Sequence, residues 1–153
     1  MLLSKACVYG LRASLYLASR VDNEYMSINQ ISKQLDISYH FLTKIFQKLT
    51  KAGLLESMKG PKGGVRFKRP GSKIYLVEIV AAIDGMELLT ECALGLPGCG
   101  TATPCPLHEQ WSEARDGIRV MLEKTSLTEL ARKGKAGNLR ITADGGFDWI
   151  PDS

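Results

Sequence analysis

The sequence has no apolar run that approaches the roughly 18 residues needed to cross a membrane. Its N-terminal segment also lacks the continuous hydrophobic stretch of a signal peptide, because Lys5 and Arg12 interrupt the apolar pattern. It contains no Ser/His/Asp set, no paired carboxylates and no phosphate-binding loop that would indicate catalysis. From these absences we expect a cytoplasmic protein that is not an enzyme.

The net charge of +4 conceals an uneven distribution along the chain. Residues 1–70 hold 12 Lys and Arg against 4 Asp and Glu, whereas residues 71–153 hold 8 against 12. A basic half is expected to meet a polyanion, although a solvated basic face is a common alternative. The hydrophobic fraction of 44% and the charged fraction of 24% are those of a soluble globular protein.

Three helices are predicted in the first third of the chain. Apolar residues recur at helical spacing after Ser4, after Ser27 and after Ser38. Each of these serines is a candidate N-cap, and Gly53 ends the third helix where a left-handed backbone costs least. The short turn between the second and third helices predicts a helix-turn-helix.

The third helix has two contrasting faces. Its predicted apolar face comprises Phe41, Leu42, Ile45, Phe46 and Leu49. The opposite face is polar and basic, as a major-groove recognition helix requires, and an ordinary solvated surface is the alternative. From this helix and its cap we expect DNA contacts by Ser38, His40, Thr43, Lys44, Gln47 and Lys48.

A basic hairpin follows the helix-turn-helix. Two short strands, near Leu54–Met58 and Val65–Lys68, flank a Gly/Pro tip at residues 60–64. The basic residues around this tip are Lys51, Lys59, Lys62, Arg66, Lys68 and Arg69. This order is that of a winged helix, whose glycine-rich tip can approach phosphates or enter a narrow minor groove. The expected wing contacts are Lys59, Gly60, Lys62 and Gly63.

Four regions are expected along the chain. Residues 1–85 form a winged helix-turn-helix DNA-binding domain (the winged region), which closes with a helix over residues 72–84. Residues 86–105 form a cysteine segment, residues 106–133 a dimerisation helix with a short helical turn, and residues 134–153 a flexible tail. The dimerisation helix carries an apolar stripe of Leu107, Trp111, Ala114, Ile118, Met121 and Leu122. Such a stripe on an end helix is often buried against its symmetry mate.

Three of the four cysteines, Cys92, Cys99 and Cys105, fall in the cysteine segment, and His108 follows. Three thiolates and one imidazole are enough to complete the coordination of a metal centre. The C-x6-C-x5-C spacing is wide for a zinc knuckle and favours a loop wrapped around an iron–sulfur cluster. Zinc and metal-free thiol chemistry stay open as alternatives. Cys7, in the first helix, is expected to be a small buried hydrophobe, with a role at the cluster as its alternative.

The order of winged helix, spaced cysteines and long terminal helix resembles the IscR/NsrR (Rrf2) family of bacterial transcription regulators. The resemblance covers residues 1 to about 132. Its motifs are I-S-x-x-x-L-x-x-I-F-x-x-L at 37–49, G-P-x-G-G at 60–64 and C-x6-C-x5-C-P-L-H at 92–108. The family resemblance implies a homodimeric winged helix, joined by the long C-terminal helix, that commonly carries an iron–sulfur cluster.

The same resemblance implies a ligand set. Cys92, Cys99 and Cys105 are the implied thiolate ligands, and His108 matches the histidine that completes the cluster in the assembly-regulator branch. The first gap is x6 where the assembly regulators show x5. In the nitric-oxide-sensing branch the fourth ligand is a carboxylate near the N-terminus, where this chain has Val8, and this favours His108. A 2Fe–2S cluster is favoured, with 4Fe–4S as the alternative.

We therefore predict a homodimeric DNA-binding transcription regulator, expected to be a repressor, that binds a palindromic operator. An iron–sulfur cluster would control this binding as a sensor of iron–sulfur status, redox state or nitric oxide. The alternative is a thiol- or zinc-based redox-responsive module without a cluster, in which DNA binding is vestigial. The basic balance of residues 1–70 argues against that alternative.

Overall fold

The computed structural model describes residues 2–20, 22–98, 100, 102–143 and 149. Its helices and strands are α1 Lys5–Ala18, α2 Ile28–Leu35, α3 Tyr39–Lys51, β1 Leu55–Met58, β2 Gly64–Phe67, α4 Leu76–Ile83, α5 Glu87–Thr90, α6 His108–Lys124 and α7 Leu127–Ala136. This order confirms the predicted fold, mainly α with a small β-hairpin. In the described part of the chain, no helix is long and apolar enough to cross a membrane.

Serine side chains begin the first three helices, as predicted. The hydroxyls of Ser4, Ser27 and Ser38 accept hydrogen bonds from backbone N–H groups three residues later, at 3.0, 3.1 and 3.4 Å. Each bond satisfies one of the donors that a helix leaves unpaired in its first turn. At the other end of α3, Gly53 adopts a φ of 80°, the left-handed conformation that favours glycine.

The core of the winged region lies where α1 meets α2, α3 and α4. From α3 it takes the buried side chains Leu42, Ile45, Phe46 and Leu49, whereas Phe41 is only half-buried. Cys7 of α1 is fully buried in the same core, as expected of a small hydrophobe. Burying such side chains, at about 1.5–3 kcal/mol each, provides the main stabilisation of the helix-turn-helix.

The hairpin forms an antiparallel pair that runs from Leu55 opposite Phe67 to Met58 opposite Gly64. It is joined to the helices by Met26, whose N–H donates to the carbonyl of Val65 and whose carbonyl accepts from the Val65 N–H, at 3.0 and 2.9 Å. This isolated bridge pairs a single residue ahead of α2 with β2. The wing is therefore held against the helix-turn-helix by backbone hydrogen bonds as well as by side chains.

The helix predicted over residues 72–84 starts later than expected. Residues 71–73 form a 3₁₀ turn, and Ile74 is extended, with φ −114° and ψ 119°. The backbone of this segment bonds to the chain before α7, because Leu76 N–H donates to the Thr125 carbonyl and Leu127 N–H donates to the Ile74 carbonyl. This tertiary pairing, which sequence spacing does not reveal, delays the start of α4 to Leu76.

The one-turn helix α5 occupies the first residues of the cysteine segment, ahead of Cys92. Leu89 of α5 is fully buried, whereas Leu94 and Leu96 are 55% and 53% exposed. Helix α6 begins at His108, two residues after the predicted start at Pro106.

Half of the predicted apolar stripe is exposed in the single chain, and Trp111 and Ile118 are half-buried. Leu122 is buried, but Leu107 and Met121 are 40% and 54% exposed, and Ala114 is also exposed. Val120, which the stripe did not include, is 47% exposed. From the stripe, Leu122 joins the core and Ile118 packs against it.

Helix α7 is longer than the short turn predicted after Ser126, and part of the expected flexible tail belongs to it. The helix ends at Ala136, and Gly134 is buried. An added Cβ at Gly134 would lie 2.5 Å from the ring of Trp149, whose indole N–H donates to the Leu139 carbonyl at 2.9 Å. The tail therefore folds back on α7 at this point. Residues 144–148 and 150–153, predicted as part of the same tail, lie outside the described residues.

Candidate nucleic-acid interface and metal-binding segment

The exposed face of α3 presents two adjacent rows of polar side chains. His40, Lys44 and Lys48 are spaced four residues apart and are all exposed, so they form one row along the helix. Thr43 and Gln47 form the second row, in which Gln47 is exposed and Thr43 is half-buried. Since a helix in the major groove contacts bases through one such face, these residues are well placed for recognition.

The hydroxyl of Thr43 has a structural partner. Its Oγ1 donates to the carbonyl of Tyr39 one turn earlier, at 2.8 Å. Tyr39 itself is 47% exposed, and its ring lies edge-on to His40 with 5.8 Å between centroids. Because the Thr43 proton is occupied, Gln47 is the stronger candidate for base discrimination on this row. Tyr39 was missed as a candidate because an aromatic residue at a helix start resembles a core residue in sequence.

A groove of about 700 Å³ separates α3 from the wing. Five of the predicted DNA contacts line it, namely Thr43, Gln47, Lys59, Gly60 and Gly63. The start of α2 also contributes, through Ser27 and Asn29, which were not among the predicted DNA contacts. The structure thus brings the recognition helix and the wing tip to one surface. Whether each of these side chains contacts DNA stays a prediction.

The wing glycines have different roles. At Gly64, φ is +143° and an added Cβ would lie 2.0 Å from the carbonyl oxygen of Met26. At Gly63, an added Cβ would lie 2.1 Å from the carbonyl oxygen of Met58. These two glycines are therefore required by the packing of the hairpin itself. Gly60 has open space around it, so its side of the tip is the one that can approach a phosphate.

Three of the basic residues that the sequence predicted around the wing tip do not present a free charge there. Arg66 forms an ion pair with Glu56 at 2.7 Å and lies over the Tyr25 ring at 4.3 Å from its centroid. Arg69 pairs with Glu78, and Lys68 follows the end of β2 that is remote from the tip. Lys59 and Lys62 are exposed beside the tip. The charge that the wing offers to DNA is therefore concentrated in these two lysines.

The cysteine segment brings two sulfur atoms together across 13 residues. The Sγ atoms of Cys92 and Cys105 are 3.5 Å apart, so the Cys92 thiol can donate a hydrogen bond to the Cys105 sulfur, but the two do not form a disulfide. The backbone N–H groups of Leu96 and Leu94 point to the Cys92 sulfur, the latter at 3.4 Å. These donors lower the pKa of the Cys92 thiol, with the Leu96 N–H as the largest cause. A sulfur held in this way is prepared to act as a thiolate.

Of the other two predicted ligands, His108 lies among the described residues and Cys99 does not. His108 is the first residue of α6, is half-buried, and its backbone N–H donates to the Cys105 carbonyl at 3.0 Å. Cys99 lies outside the described residues. Within residues that are described, no three His, Cys, Asp or Glu side chains form a group that could hold a metal ion. The assignment of the four residues to one centre stays a prediction.

Side chains of α6 hold the backbone that leads into Cys92. The indole N–H of Trp111 donates to the Glu91 carbonyl at 2.9 Å, and Arg115 donates to the same carbonyl at 3.2 Å. Arg119 donates to the Leu89 carbonyl. The spacing of four residues between these donors places them on one face of α6, but their acceptors could not be predicted from sequence. The start of the cysteine segment is thereby fixed relative to α6.

Comparison with known proteins identifies the chain. Residues 3–133 match the model of the Rrf2 family, described as an iron-dependent transcriptional regulator. The chain belongs to the Rrf2 family. It is 33% identical to the HTH-type transcriptional regulator IscR of Aliivibrio salmonicida over 122 residues, which are 80% of this chain and 72% of that relative.

Solved structures show the same fold in Rrf2-type chains. The structure of CymR, the global cysteine regulator of B. subtilis, superposes with a TM-score of 0.73 at 26% identity, over 86% of this chain and 96% of CymR. The oxidized form of Staphylococcus aureus CymR gives a TM-score of 0.68, also at 26% identity, over 84% and 94% of the two chains. The chain is thus a DNA-binding helix-turn-helix regulator, and its relatives are regulators rather than enzymes.

Proposed function

We propose that this Rrf2-family regulator controls transcription through an iron–sulfur cluster bound by Cys92, Cys99, Cys105 and His108. The observation that carries the proposal is the contact between the Cys92 and Cys105 sulfur atoms at 3.5 Å. Two thiolates bound to one tetrahedral metal at about 2.3 Å lie roughly 3.7 Å apart. The separation of the two thiols is therefore close to that of a ligand pair and well above the bond length of a disulfide.

The donor set also fits the chemistry of such a group. Thiolates bind iron strongly, and an imidazole in place of one thiolate raises the reduction potential of the cluster. The lowered pKa of Cys92 reduces the cost of presenting this sulfur in its ligand form. Because this set matches the family resemblance to the assembly regulators, we favour a 2Fe–2S cluster, with 4Fe–4S as the alternative.

Ordering of the cysteine segment is the proposed link between cluster and DNA. The donors of α6 at Glu91 and Leu89 fix its start, and most of its described side chains are exposed. Fixing the backbone costs about 1–2 kcal/mol per residue, so the ordered segment depends on metal–ligand bonds. Loss of the cluster would loosen the segment between the winged region and α6, and so change the spacing of the two recognition helices in a dimer.

We propose that α3 enters the major groove and that the wing contacts the backbone beside it. His40, Thr43, Lys44, Gln47 and Lys48 would face bases or nearby phosphates, with Ser38 at the start of the helix. Lys59, Gly60, Lys62 and Gly63 would lie along the wing contact. Their support is the groove that places helix and wing on one surface.

The proposed regulator acts in the cytoplasm as a homodimer joined through α6. The exposed apolar side chains Met121 and Val120 lie on this helix, where a second copy can cover them. A two-fold dimer requires a palindromic operator with its half-sites on one face of the duplex. The proposed action is repression, with iron–sulfur status, redox state or nitric oxide as the signal.

A second function is supported by the same two sulfur atoms. If Cys92 and Cys105 approached by about 1.5 Å, a disulfide could form between them. A peroxide would accept the two electrons and two protons that the thiols release, and would leave as water or alcohol. The existence of an oxidized form of CymR, a structural neighbour at 26% identity, gives this thiol switch additional support.

Purification of the full chain under anaerobic conditions distinguishes these functions. We expect iron and acid-labile sulfide in equal amounts, near two of each per chain for a 2Fe–2S cluster, together with visible absorption bands. A colourless protein with one zinc per chain would contradict the cluster proposal. A colourless, metal-free protein that forms a Cys92–Cys105 disulfide with peroxide would favour the thiol switch instead.

A further inference from the structure

The groove between α3 and the wing contains exposed apolar side chains that none of the proposed DNA contacts includes. Part of its lining belongs to the core, namely the buried side chains of Phe46 and Val65. Two other large apolar side chains in the lining are exposed, Tyr39 at 47% and Met58 at 44%. An aromatic ring and a thioether exposed in one groove indicate a surface that a partner covers.

The charge around the groove indicates what that partner is. Lys51 and Lys59 belong to the lining, and Lys44, Lys48 and Lys62 are exposed on α3 and at the wing tip. Among the described residues, no Asp or Glu lines the groove. A basic surface attracts a polyanion, so DNA is the expected occupant, and the exposed apolar side chains are expected to contact it.

Tyr39 begins one of the two rows of side chains on α3. It is the first residue of the helix, and Thr43 and Gln47 follow at intervals of four, so the three side chains share one face. All three line the groove. The N-terminal residues of a recognition helix contact the base edges, and a helical side chain leans toward the N-terminus of its helix. Tyr39 therefore lies at the end of the row that is expected to reach the bases.

Tyr39 is held in position through both its ring and its backbone. The ring lies edge-on to His40 with 5.8 Å between centroids, an arrangement that aromatic pairs prefer. The Tyr39 carbonyl accepts a hydrogen bond from the Thr43 hydroxyl at 2.8 Å, within the first turn of the helix. A tyrosine side chain also loses little conformational freedom when it is covered. Tyr39 therefore offers DNA an apolar surface that is already in place.

The major groove of DNA contains one apolar group that a ring can recognise. This group is the C5-methyl of thymine, whereas the other groups at the base edges are hydrogen-bond donors and acceptors. Those polar groups suit the amide of Gln47. Eight residues separate Tyr39 from Gln47, which is about 12 Å along the helix, so the two side chains are expected to contact different base pairs.

We infer that Tyr39 recognises a thymine in each half of the operator, by contact of its ring with the C5-methyl group. The inference rests on the proposed entry of α3 into the major groove, but it does not require the iron–sulfur cluster. It divides the row between two kinds of recognition, with an apolar contact at Tyr39 and hydrogen bonds at Gln47. The ring, and not the hydroxyl, is the part of Tyr39 that makes the distinction.

Replacement of thymine by uracil tests this contact, because it removes the methyl group and leaves the hydrogen-bonding groups of the base in place. The preferred operator is first selected from randomised duplex DNA with the full chain, purified under anaerobic conditions. Each thymine of one half-site is then replaced in turn by uracil, and binding is measured at constant salt. For the wild-type chain, one of these replacements should raise Kd by about fourfold, which corresponds to one buried methyl group.

Three variants assign this sensitivity to a side chain. Tyr39→Ala should remove it, so that the thymine and uracil duplexes bind within about 1.5-fold of each other. Tyr39→Phe keeps the ring and should retain the full difference. Met58→Ala is the matched control, because it removes another exposed apolar side chain of the same groove and should leave the difference unchanged. Tyr39 and Met58 are both exposed, so all three variants should fold, as circular dichroism would confirm.

Several outcomes would overturn the inference while base recognition by α3 stood. These are a selected half-site without thymine, equal binding of every uracil duplex by the wild-type chain, and retention of the difference in Tyr39→Ala. Loss of the difference in Tyr39→Phe or in Met58→Ala would also overturn it, because the ring of Tyr39 would then not be its source. If the selection gave no preferred sequence at all, the proposed reading of bases by α3 would itself fail, and this inference with it.

Discussion

The winged region and the cysteine segment differ in what determines their conformation. In the winged region, serine caps begin three helices, and buried side chains from every element form one core. In the cysteine segment, Leu89 is the one buried side chain among the described residues, and most of the others are exposed. The winged region has a packed core that can present its helices to DNA. The cysteine segment is expected to become ordered when its cysteines bind a ligand.

Cys7, in the winged region, and Cys92, in the cysteine segment, also differ in their surroundings. Cys7 is fully buried in the core, and burial, followed by the nearby Asp84 carboxylate, raises the pKa of its thiol to about 12. Cys92 has backbone N–H groups directed at its sulfur, which lower the pKa of its thiol. The first thiol is a small hydrophobe, and the second has the character of a ligand or nucleophile.

The largest expected effect is loss of the cluster. Cys92→Ser or Cys105→Ser should remove nearly all bound iron and the visible absorption bands, because each removes a proposed thiolate ligand. Iron and sulfide assays on the anaerobic proteins measure this. Cys7→Ala is the control, and it should retain both iron and colour. Full retention of iron by both serine variants would show that these sulfurs are not ligands.

In metal-free protein, Cys92 should react much faster than Cys7, because its thiolate fraction is larger by about a thousandfold or more. At pH 7.5 a thiol with a pKa of about 12 has roughly a thousandth of the thiolate of one with a pKa of 9.0, and Cys92 lies below that value. Mass spectrometry after timed alkylation measures each rate. With rising pH the Cys92 rate should level off first, while the Cys7 rate continues to rise. Similar rates at the two sites would contradict the assigned environments.

Replacing a leucine by alanine should destabilise the protein much more in the winged region than in the cysteine segment. Leu42→Ala, at a fully buried position of α3, should lower the free energy of unfolding by about 2–5 kcal/mol. Leu94→Ala, at a position that is 55% exposed, should change it by less than about 0.5 kcal/mol in the metal-free protein. Denaturant titrations measure both values. A comparable loss from Leu94→Ala would mean that the cysteine segment has a core of its own.

On the DNA-binding surface, substituting a residue that recognises bases should have a different effect from substituting one that attracts phosphates. Gln47→Ala should weaken the free energy of binding to the preferred operator by about 1–3 kcal/mol, and to mutated operators by less. Lys62→Ala should weaken all sequences alike and reduce the slope of log affinity against log salt by about 1. Lys124→Ala, on α6, serves as the charge control. If Gln47→Ala left sequence preference unchanged, the face of α3 assigned to the bases would be wrong.

The features that sequence predicted well are local ones. Ser4, Ser27 and Ser38 begin helices because an N-cap bonds to the backbone only three residues away. The alternation of buried and polar positions along α3 follows from helical periodicity alone. Both are decided within a dozen residues, so the sequence contains them in full.

The features that sequence missed depend on distant partners. The late start of α4 follows from backbone pairing of residues 74–76 with residues 125–127, about 50 positions later. Gly64 is required because Met26 packs against it, and Arg66 is withdrawn from DNA by Glu56 and Tyr25. The contact between Cys92 and Cys105 depends equally on a loop closure that spacing permits but does not determine.

The central claim is that the occupant of the cysteine segment sets the affinity of the winged region for DNA. The most direct measurement compares operator affinity of the cluster-loaded and metal-free dimers, at equal dimer concentration and equal salt. A coupling free energy of about 1–3 kcal/mol would change the affinity by about five- to 150-fold, and a difference in this range is the expected result. Equal affinities of the two forms for every operator tested would contradict the account and would leave the cluster a purely structural role.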